Sequence, residues 1–168
     1  MDDTQLADLS RDGDVVVARM TRTTAQPPAV VWRALTEPDV LAQWLAPGRI
    51  EPRLGGAVRL DFDGSGTVID CAVSAFEDGR LLEFSWSKPG EPARPVRWTL
   101  EPDAAGTRLI LTVLTPPGED PGRACAGWEA HLAMLTAALD GGPIPFPFER
   151  FKAAREAYRP VVAALDPG

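Results

Sequence analysis

The sequence predicts an α+β fold with one antiparallel sheet, from three observations. A strand-like run near the N-terminus is followed by two short helical segments, several alternating runs then follow one another, and a long helix comes after them. Strands that succeed each other without intervening helices favour antiparallel pairing, and helices grouped apart from them indicate α+β rather than α/β. The 168 residues fit one domain, whose folding buries roughly 70% of the unfolded chain's surface.

The N-terminal part is expected to contain one strand and two helices. Residues 1–14 are polar and acidic without periodicity, which predicts a flexible lead-in. Residues 15–21 are rich in β-branched side chains and predict the first strand. Pro27-Pro28 starts a helix, because a proline in the first turn has no amide hydrogen to leave unpaired. A second short helix is expected from about Asp39 to Leu45.

The middle of the chain alternates apolar and polar residues, which is typical of strands with one buried face. Gly64-Ser65-Gly66 is expected to form a hairpin tip, since glycine readily adopts positive φ. The expected inward-facing residues of successive strands are Val58, Leu60 and Phe62; Ile69, Cys71, Val73 and Ala75; Leu82, Phe84 and Trp86; and Val96, Trp98 and Leu100. After Gly106 a last strand is expected to about Leu114.

A long helix is expected from about Ala124 to Asp140. Its inner stripe consists of Trp128, Leu132, Leu135 and Leu139. The expected domain limits are therefore 1–14 for the lead-in, 15–143 for the domain and 144–168 for a C-terminal helical extension.

The C-terminal extension is expected to be helical, with Phe148, Phe151 and Tyr158 among its regularly spaced apolar residues. Pro160 is expected to kink this helix or divide it in two. The aromatic stripe must be covered by its own domain or by a second copy of the chain, which predicts a homodimer through the extension.

Composition excludes several classes of partner. A net charge of −7 and a pI near 4.7 argue against nucleic acid and anionic membranes, which repel an acidic surface. The N-terminus lacks a basic region followed by an apolar run, and two cysteines are too few for a disulfide framework. A cytoplasmic protein with reduced thiols is expected.

Residues that could carry chemistry are sparse. His131 is the single histidine, and it borders the stripe of the long helix, so it is either an acid/base group in a cavity or a helix residue at the core edge. Cys71, Cys125 and His131 lack the short spacing of zinc ligands, and no nucleophile elbow or phosphate-binding loop occurs. No metal, cofactor or catalytic residue is predicted.

Several motifs together resemble the family of the C-terminal domain of the activator of the Hsp90 ATPase. They comprise residues 95–102, 106–112, 31–38 and 41–44, and Gly127-Trp128 at the start of a helix that ends at Gly141-Gly142-Pro143. The family belongs to the START-like, or helix-grip, superfamily. The resemblance implies that a curved antiparallel sheet of about seven strands wraps the long helix and leaves a cavity between them.

The resemblance implies three functions. The first is binding of a small apolar or aromatic molecule in the cavity. The expected lining residues are Trp44, Phe62, Cys71, Phe84, Trp86, Trp98, Trp128, His131 and Leu135. The second is a polyketide cyclase-like enzyme, in which His131, Glu129 and Tyr158 would take part. The third is a chaperone cofactor, although Hsp90-stimulating members carry a further N-terminal domain where this sequence has about fourteen residues.

Overall fold

A computed structural model describes residues 6–62 and 67–165 of the chain. The described strands are β1 (Asp8–Asp12), β2 (Val15–Thr24), β3 (Gly48–Ile50), β4 (Ala57–Phe62), β5 (Thr67–Ala72), β6 (Ala75–Glu77), β7 (Leu81–Ser85), β8 (Pro95–Asp103) and β9 (Gly106–Thr115). The described helices are α1 (Pro28–Thr36), α2 (Pro38–Trp44), α3 (Pro121–Leu139) and α4 (Phe148–Ala163). The predicted hairpin tip Gly64-Ser65-Gly66 lies outside the described residues.

The structure confirms the α+β class with antiparallel strands and a long C-terminal helix. Six strands pair in the order β1-β2-β9-β8-β7-β6, and β3-β4-β5 form a second sheet. The strand predicted from Ile69 to Ala75 is therefore split into β5 and β6. The Val73 amide donates to the Gly56 carbonyl while the next amide, of Ser74, donates to the Glu83 carbonyl, so the chain changes sheet between these two residues.

A strand replaces part of the predicted lead-in. β1 pairs with β2 from Asp8 opposite Arg19 to Asp12 opposite Val15, so residues 8–12 of the expected lead-in form a strand that the sequence did not predict. An edge strand needs only backbone hydrogen bonds on one side, and it can therefore form without apolar alternation. Gly13, at φ +60°, provides the tight turn between the two strands.

The core lies between the six-stranded sheet and α3, with α1 and α2 closing one end. Trp44, Trp98 and Leu132 are almost fully buried there, and the Trp44 indole nitrogen donates to the Ala34 carbonyl over 2.7 Å. This bond satisfies the buried indole N–H and fixes α2 against α1. Among the described residues, no helix is long and apolar enough to cross a membrane.

The long helix begins three residues before its predicted start. The Asp120 carboxylate caps it, accepting from the Gly122 amide over 2.9 Å and the Arg123 amide over 3.3 Å, and Pro121 takes the first helical position. In α4 the helix continues through Pro160, so of the two predicted outcomes, a kink or a division, the division does not occur. Pro160 lies in the last turn, where little helix remains to be disrupted.

Candidate functional site

A cavity of about 880 Å³ lies between the sheet and the long helix α3. Its wall comes from β5, β8 and β9, from the β7–β8 hairpin, from α3, and from the chain that follows α3. Ile69, Val96 and Val113 contribute aliphatic surface, and Trp86 and Trp128 contribute aromatic surface. The cavity is large enough for a small organic molecule, because ligand sites usually occupy about 300–1,000 Å³.

Two tryptophans, Trp86 and Trp128, lie side by side on the wall. The ring centroids of Trp86 and Trp128 are 4.9 Å apart at an interplanar angle of 71°, and Trp98 packs behind Trp128 at 5.7 Å. The Trp86 amide donates to the Arg94 carbonyl over 2.8 Å, so the β7–β8 hairpin fixes the backbone of Trp86. Edge-to-face packing of this kind holds aromatic rings in defined orientations.

His131 lies beside Trp128 on the same wall. Its Nδ1 is 2.9 Å from the carbonyl oxygen of Trp44, and since a carbonyl only accepts, Nδ1 carries a hydrogen. Burial lowers the pKa of His131, and the bond to Trp44 offsets this only in part. His131 is therefore neutral near pH 7, with its tautomer set by the Trp44 carbonyl.

Gly127 leaves space where a side chain would project from α3. It lies within the helix and lines the cavity, and no heavy atom within 4 Å would meet a Cβ placed on it. A glycine in a helix interior costs about 0.5–1 kcal/mol of stability relative to alanine. No neighbouring atom requires the glycine, and what its small size provides is cavity volume.

An ion pair joins two loops at the rim of the cavity. The Arg94 guanidinium donates from Nε to Glu119 Oε1 and from Nη2 to Glu119 Oε2, both over 2.8 Å. It also donates from Nη1 to the Trp86 carbonyl over 3.0 Å. The β7–β8 hairpin is thereby tied to the connection between β9 and α3. The hydrogen bonds that Arg94 donates to Glu119 raise the pKa of Arg94, so this charge persists at any ordinary pH.

The structure brings only some of the predicted site residues to the cavity. Trp86, Trp128 and His131 line it. The other described candidates belong to the closed core or its edge: Trp44, Phe84, Trp98 and Leu135, which are at most 1% exposed, and half-buried Cys71, whose thiol donates to the Ser85 carbonyl over 3.1 Å. The Phe62 side chain lies outside the part of the chain that the structure describes.

The predicted site residues that lie in the core, and not at the cavity, do so for a common physical reason. The predicted strand and helix patterns identify residues that point inward, but neighbouring side chains decide which inward residues remain uncovered. The ring centroids of Trp44 and Trp98 are 5.4 Å apart, so these two side chains cover each other and are not available to a ligand, although the sequence pattern predicted that both would line the cavity.

The sequence patterns also missed several wall residues. Arg94 and Glu119 carry no motif, and Gly127 was noted only as part of the family motif. Phe146 and Phe151 come from the C-terminal extension, which was expected to pack on its own domain or a second copy. The sequence feature that could have indicated Phe146 is the alternation of proline with Ile144 and Phe146 over residues 143–147. Such a segment is stiff and places alternate side chains on one side.

Glu129 lies on a different face of α3 from the cavity, where it meets Tyr158 of α4. Glu129 is 5% exposed, pairs with Arg22, and accepts a hydrogen bond from the Tyr158 hydroxyl over 2.5 Å. That hydroxyl in turn accepts from the Ala7 amide over 2.7 Å. Neither residue lines the cavity, so they are not placed to act on a molecule bound there.

The two cysteines are not activated as nucleophiles, and no metal site accompanies them in the described residues. Burial raises the pKa of the Cys125 thiol to about 12, and burial also raises the pKa of Cys71, so neither is a thiolate near neutrality. Within residues 6–62 and 67–165, no group of three or more His, Cys, Asp and Glu side chains is arranged to hold a metal ion.

The fold, a large antiparallel sheet packed on a long C-terminal helix, is the helix-grip architecture. The model of the family described as "Activator of Hsp90 ATPase homolog 1-like protein" matches residues 25–140, more than half of the chain, so the chain belongs to this family. No curated protein matches the sequence.

Solved structures share the architecture. EF2215 from Enterococcus faecalis, a conserved protein of unknown function, has a TM-score of 0.81 at 19% identity, covering 95% of this chain and 92% of that one. CalU16 from Micromonospora echinospora has a TM-score of 0.73 at 24% identity, covering 94% and 98%. DynU16, from the dynemicin biosynthetic locus, has a TM-score of 0.67 at 31% identity, covering 79% of this chain and 49% of DynU16.

Proposed function

We propose that this protein binds a small apolar or aromatic molecule in the cavity between the sheet and α3. The observation that carries the proposal is the cavity itself, about 880 Å³ with Trp86 and Trp128 on its wall and Gly127 leaving room in front of α3. The cavity opens to solvent at its charged rim, and a concave, mainly apolar site of this size is the usual form of a small-molecule site.

The distribution of polar groups supports a ligand that is mainly apolar. Aliphatic and aromatic side chains cover the part of the wall that belongs to the sheet and to α3. Charged side chains (Lys88, Glu91, Arg94, Glu119, Asp120 and Arg123) come from the loops and from the start of α3. A molecule with an apolar body and one polar end matches this division, because its polar end can stay near the charged loops.

The proposal is tested by filling the cavity. Binding of 1-anilinonaphthalene-8-sulfonate is measured by fluorescence titration for the wild type, Gly127→Trp and Gly127→Ala. We expect saturable binding with one site per chain, at least tenfold weaker in Gly127→Trp and within about threefold of the wild type in Gly127→Ala, because only the large side chain occupies the volume.

The alanine variant is the matched control, since it changes the same backbone position without filling the cavity. Thermal unfolding of both variants verifies that each is folded. Absence of saturable binding by the wild type would overturn the proposal, as would equal affinity in the wild type and a folded Gly127→Trp variant. Native mass spectrometry of protein purified without detergent then identifies any retained molecule by mass.

A second candidate function is catalysis on the bound molecule, as in a polyketide cyclase-like enzyme. It is favoured by the similarity to DynU16 from a biosynthetic locus and by the position of neutral His131 on the cavity wall. A neutral imidazole can accept a proton, and general-base catalysis typically contributes about 10²–10⁴-fold.

The enzyme hypothesis is tested with the molecule that native mass spectrometry identifies. The protein is incubated with it, and its conversion is followed by mass for the wild type and for His131→Asn. Conversion that falls at least 100-fold in the variant while binding is retained would support catalysis. No conversion, or equal conversion by both proteins, would exclude a catalytic role of His131.

A further inference from the structure

The wall of the cavity includes residues that the family model does not cover. The family match ends at residue 140, yet Phe146 and Phe151 both line the cavity. Phe146 belongs to the connection between α3 and α4, and Phe151 belongs to the first turn of α4. This chain therefore closes one side of the cavity with its own C-terminal segment.

The two phenylalanines extend the tryptophan pair into a row of five rings. Along the row Trp86, Trp128, His131, Phe146 and Phe151, neighbouring centroids are 4.9, 5.6, 5.6 and 5.9 Å apart. All five residues line the cavity. The wall therefore presents aromatic surface from the β7–β8 hairpin, across α3, to the beginning of α4.

The C-terminal part of this row is held in place. Pro145 and Pro147 flank Phe146, and a proline ring restricts its own backbone φ to about −65°. The Phe146 carbonyl accepts from the Phe148 amide over 3.0 Å, and the Pro147 carbonyl accepts from the Phe151 amide over 3.0 Å. A wall that is already ordered loses little conformational entropy when a ligand binds.

We propose that Phe146 and Phe151 determine specificity, selecting molecules with a flat aromatic ring system over saturated chains of similar size. The proposal rests on the ligand-binding function proposed above and names the ligand class for that site. Rings recognise rings by offset stacking and edge-to-face packing, which contribute beyond the apolar area buried. Each such pair is worth about two- to tenfold in affinity, and a saturated chain gains only the area.

The test compares two probes on four proteins by isothermal titration calorimetry. The aromatic probe is 1-anilinonaphthalene-8-sulfonate, and the saturated anionic probe is decanoate. The proteins are the wild type, Phe146→Leu, the double variant Phe146→Leu/Phe151→Leu, and Phe148→Leu. Leucine keeps an apolar side chain and removes the ring. Phe148 is the control for this segment, because its ring packs on Phe146 at 4.9 Å but is 65% exposed and does not line the cavity, so Phe148→Leu separates loss of a supporting ring from loss of a wall ring.

We expect the wild type to bind the aromatic probe more tightly than decanoate. The double variant should bind the aromatic probe about five- to tenfold more weakly, with a smaller loss in Phe146→Leu, while decanoate changes by less than about twofold. Phe148→Leu should match the wild type with both probes. Thermal unfolding shows whether each variant is folded. If the double variant is not folded, the affinities of Phe146→Leu for the two probes test the proposal.

Three results would overturn the specificity proposal. These are equal affinity of the wild type for both probes, an unchanged affinity of the leucine variants for the aromatic probe, or an equal loss of affinity for both probes. If the wild type binds neither probe, both this inference and the proposed function fail. If the wild type binds and Gly127→Trp prevents binding while the leucine variants behave like Phe148→Leu, only this inference fails.

Discussion

The long helix α3 has two faces that differ in how completely they are filled. One face, with Gly127, Trp128 and His131, borders the cavity. The other, with Gly122 and Glu129, lies against α4 and is closed. The same helix therefore contributes a binding surface on one side and an interface that holds the fold together on the other.

Two glycines show the difference most directly. A Cβ on Gly122 would lie 3.3 Å from Asp120 Oδ1 and 3.4 Å from Val162 Cγ2, whereas a Cβ on Gly127 would meet nothing within 4 Å. On the closed face, glycine lets the first turn of α3 pack closely against α4. On the open face, glycine provides volume. One residue type thus has different physical roles about one and a half turns apart.

The polar groups follow the same division. On the closed face, Glu129 is buried and is engaged by both Arg22 and Tyr158. On the open face, charged residues stand at the rim and the interior wall is aromatic and aliphatic. Removing a polar partner on the closed face should mainly reduce stability, and filling the open face with a large side chain or removing its rings should mainly alter binding.

The largest effect is expected from Glu129→Ala, which leaves Arg22 and the Tyr158 hydroxyl without their partner. Removing one member of a buried ion pair typically costs about 3–5 kcal/mol, and we expect the lower end because the Arg22 side chain is 25% exposed. Urea unfolding of the variant and the wild type measures the loss. A change below about 1 kcal/mol would show that this interface contributes little to the fold.

A smaller loss, about 1–2 kcal/mol, is expected from Tyr158→Phe. The ring remains, but Glu129 loses a donor and the Ala7 amide loses its acceptor. Urea unfolding measures the change, and titration with 1-anilinonaphthalene-8-sulfonate should give the wild-type affinity. Weakened binding with unchanged stability would contradict the separation of the two faces.

The glycine pair should respond unequally to alanine. Gly127→Ala is expected to stabilise the protein by about 0.5–1 kcal/mol, because alanine is the better helix former and its methyl group has room. Gly122→Ala should gain less, since its methyl group presses against Asp120 and Val162. Thermal unfolding compares the two. Equal gains would mean that the closed face is less tightly packed than the distances indicate.

The smallest effect on stability is expected from the protonation of His131, the single histidine of the chain. Its pKa in the folded protein lies below the ordinary value of 6.5, so the unfolded chain binds the proton first as pH falls. The stability contributed by neutral His131 is complete above pH 6.5 and is lost as pH falls through the folded pKa. Urea unfolding between pH 7.5 and pH 5 should therefore show a shallower decline in His131→Asn than in the wild type. Parallel declines would place the titrating groups elsewhere.

The sequence predicted the elements of the fold well where one face of an element is buried. Alternation along β4 and β8 and the apolar stripe of α3 correctly indicate their type and their inward side, since burial imposes a period of two or of about 3.6. β1 was missed because an edge strand with mostly exposed residues carries no such period. The change of sheet after β5 was missed because it depends on the different acceptors of two consecutive backbone amides, those of Val73 and Ser74. Hydropathy carries no information about backbone hydrogen bonds.

The candidate site was predicted less well, and four tryptophans illustrate why. Trp44, Trp86, Trp98 and Trp128 all come from elements that bury a face, so the sequence assigns all four to the cavity. Trp86 and Trp128 reach it, while Trp44 and Trp98 pack against each other in the core. An apolar pattern indicates that a side chain is buried away from water. It does not indicate whether protein atoms or a ligand cover that side chain.

By itself, the sequence determined the class of the fold and the direction in which its strands and long helix face. These follow from local periodicity and from residue types that hydrophobic burial constrains. Only the tertiary structure decided which inward residues remain uncovered. It also placed Glu129 against α4 and brought Phe146 and Phe151 to the cavity wall. Such assignments depend on contacts between segments far apart in the chain, and each of them is set by packing that no local pattern encodes.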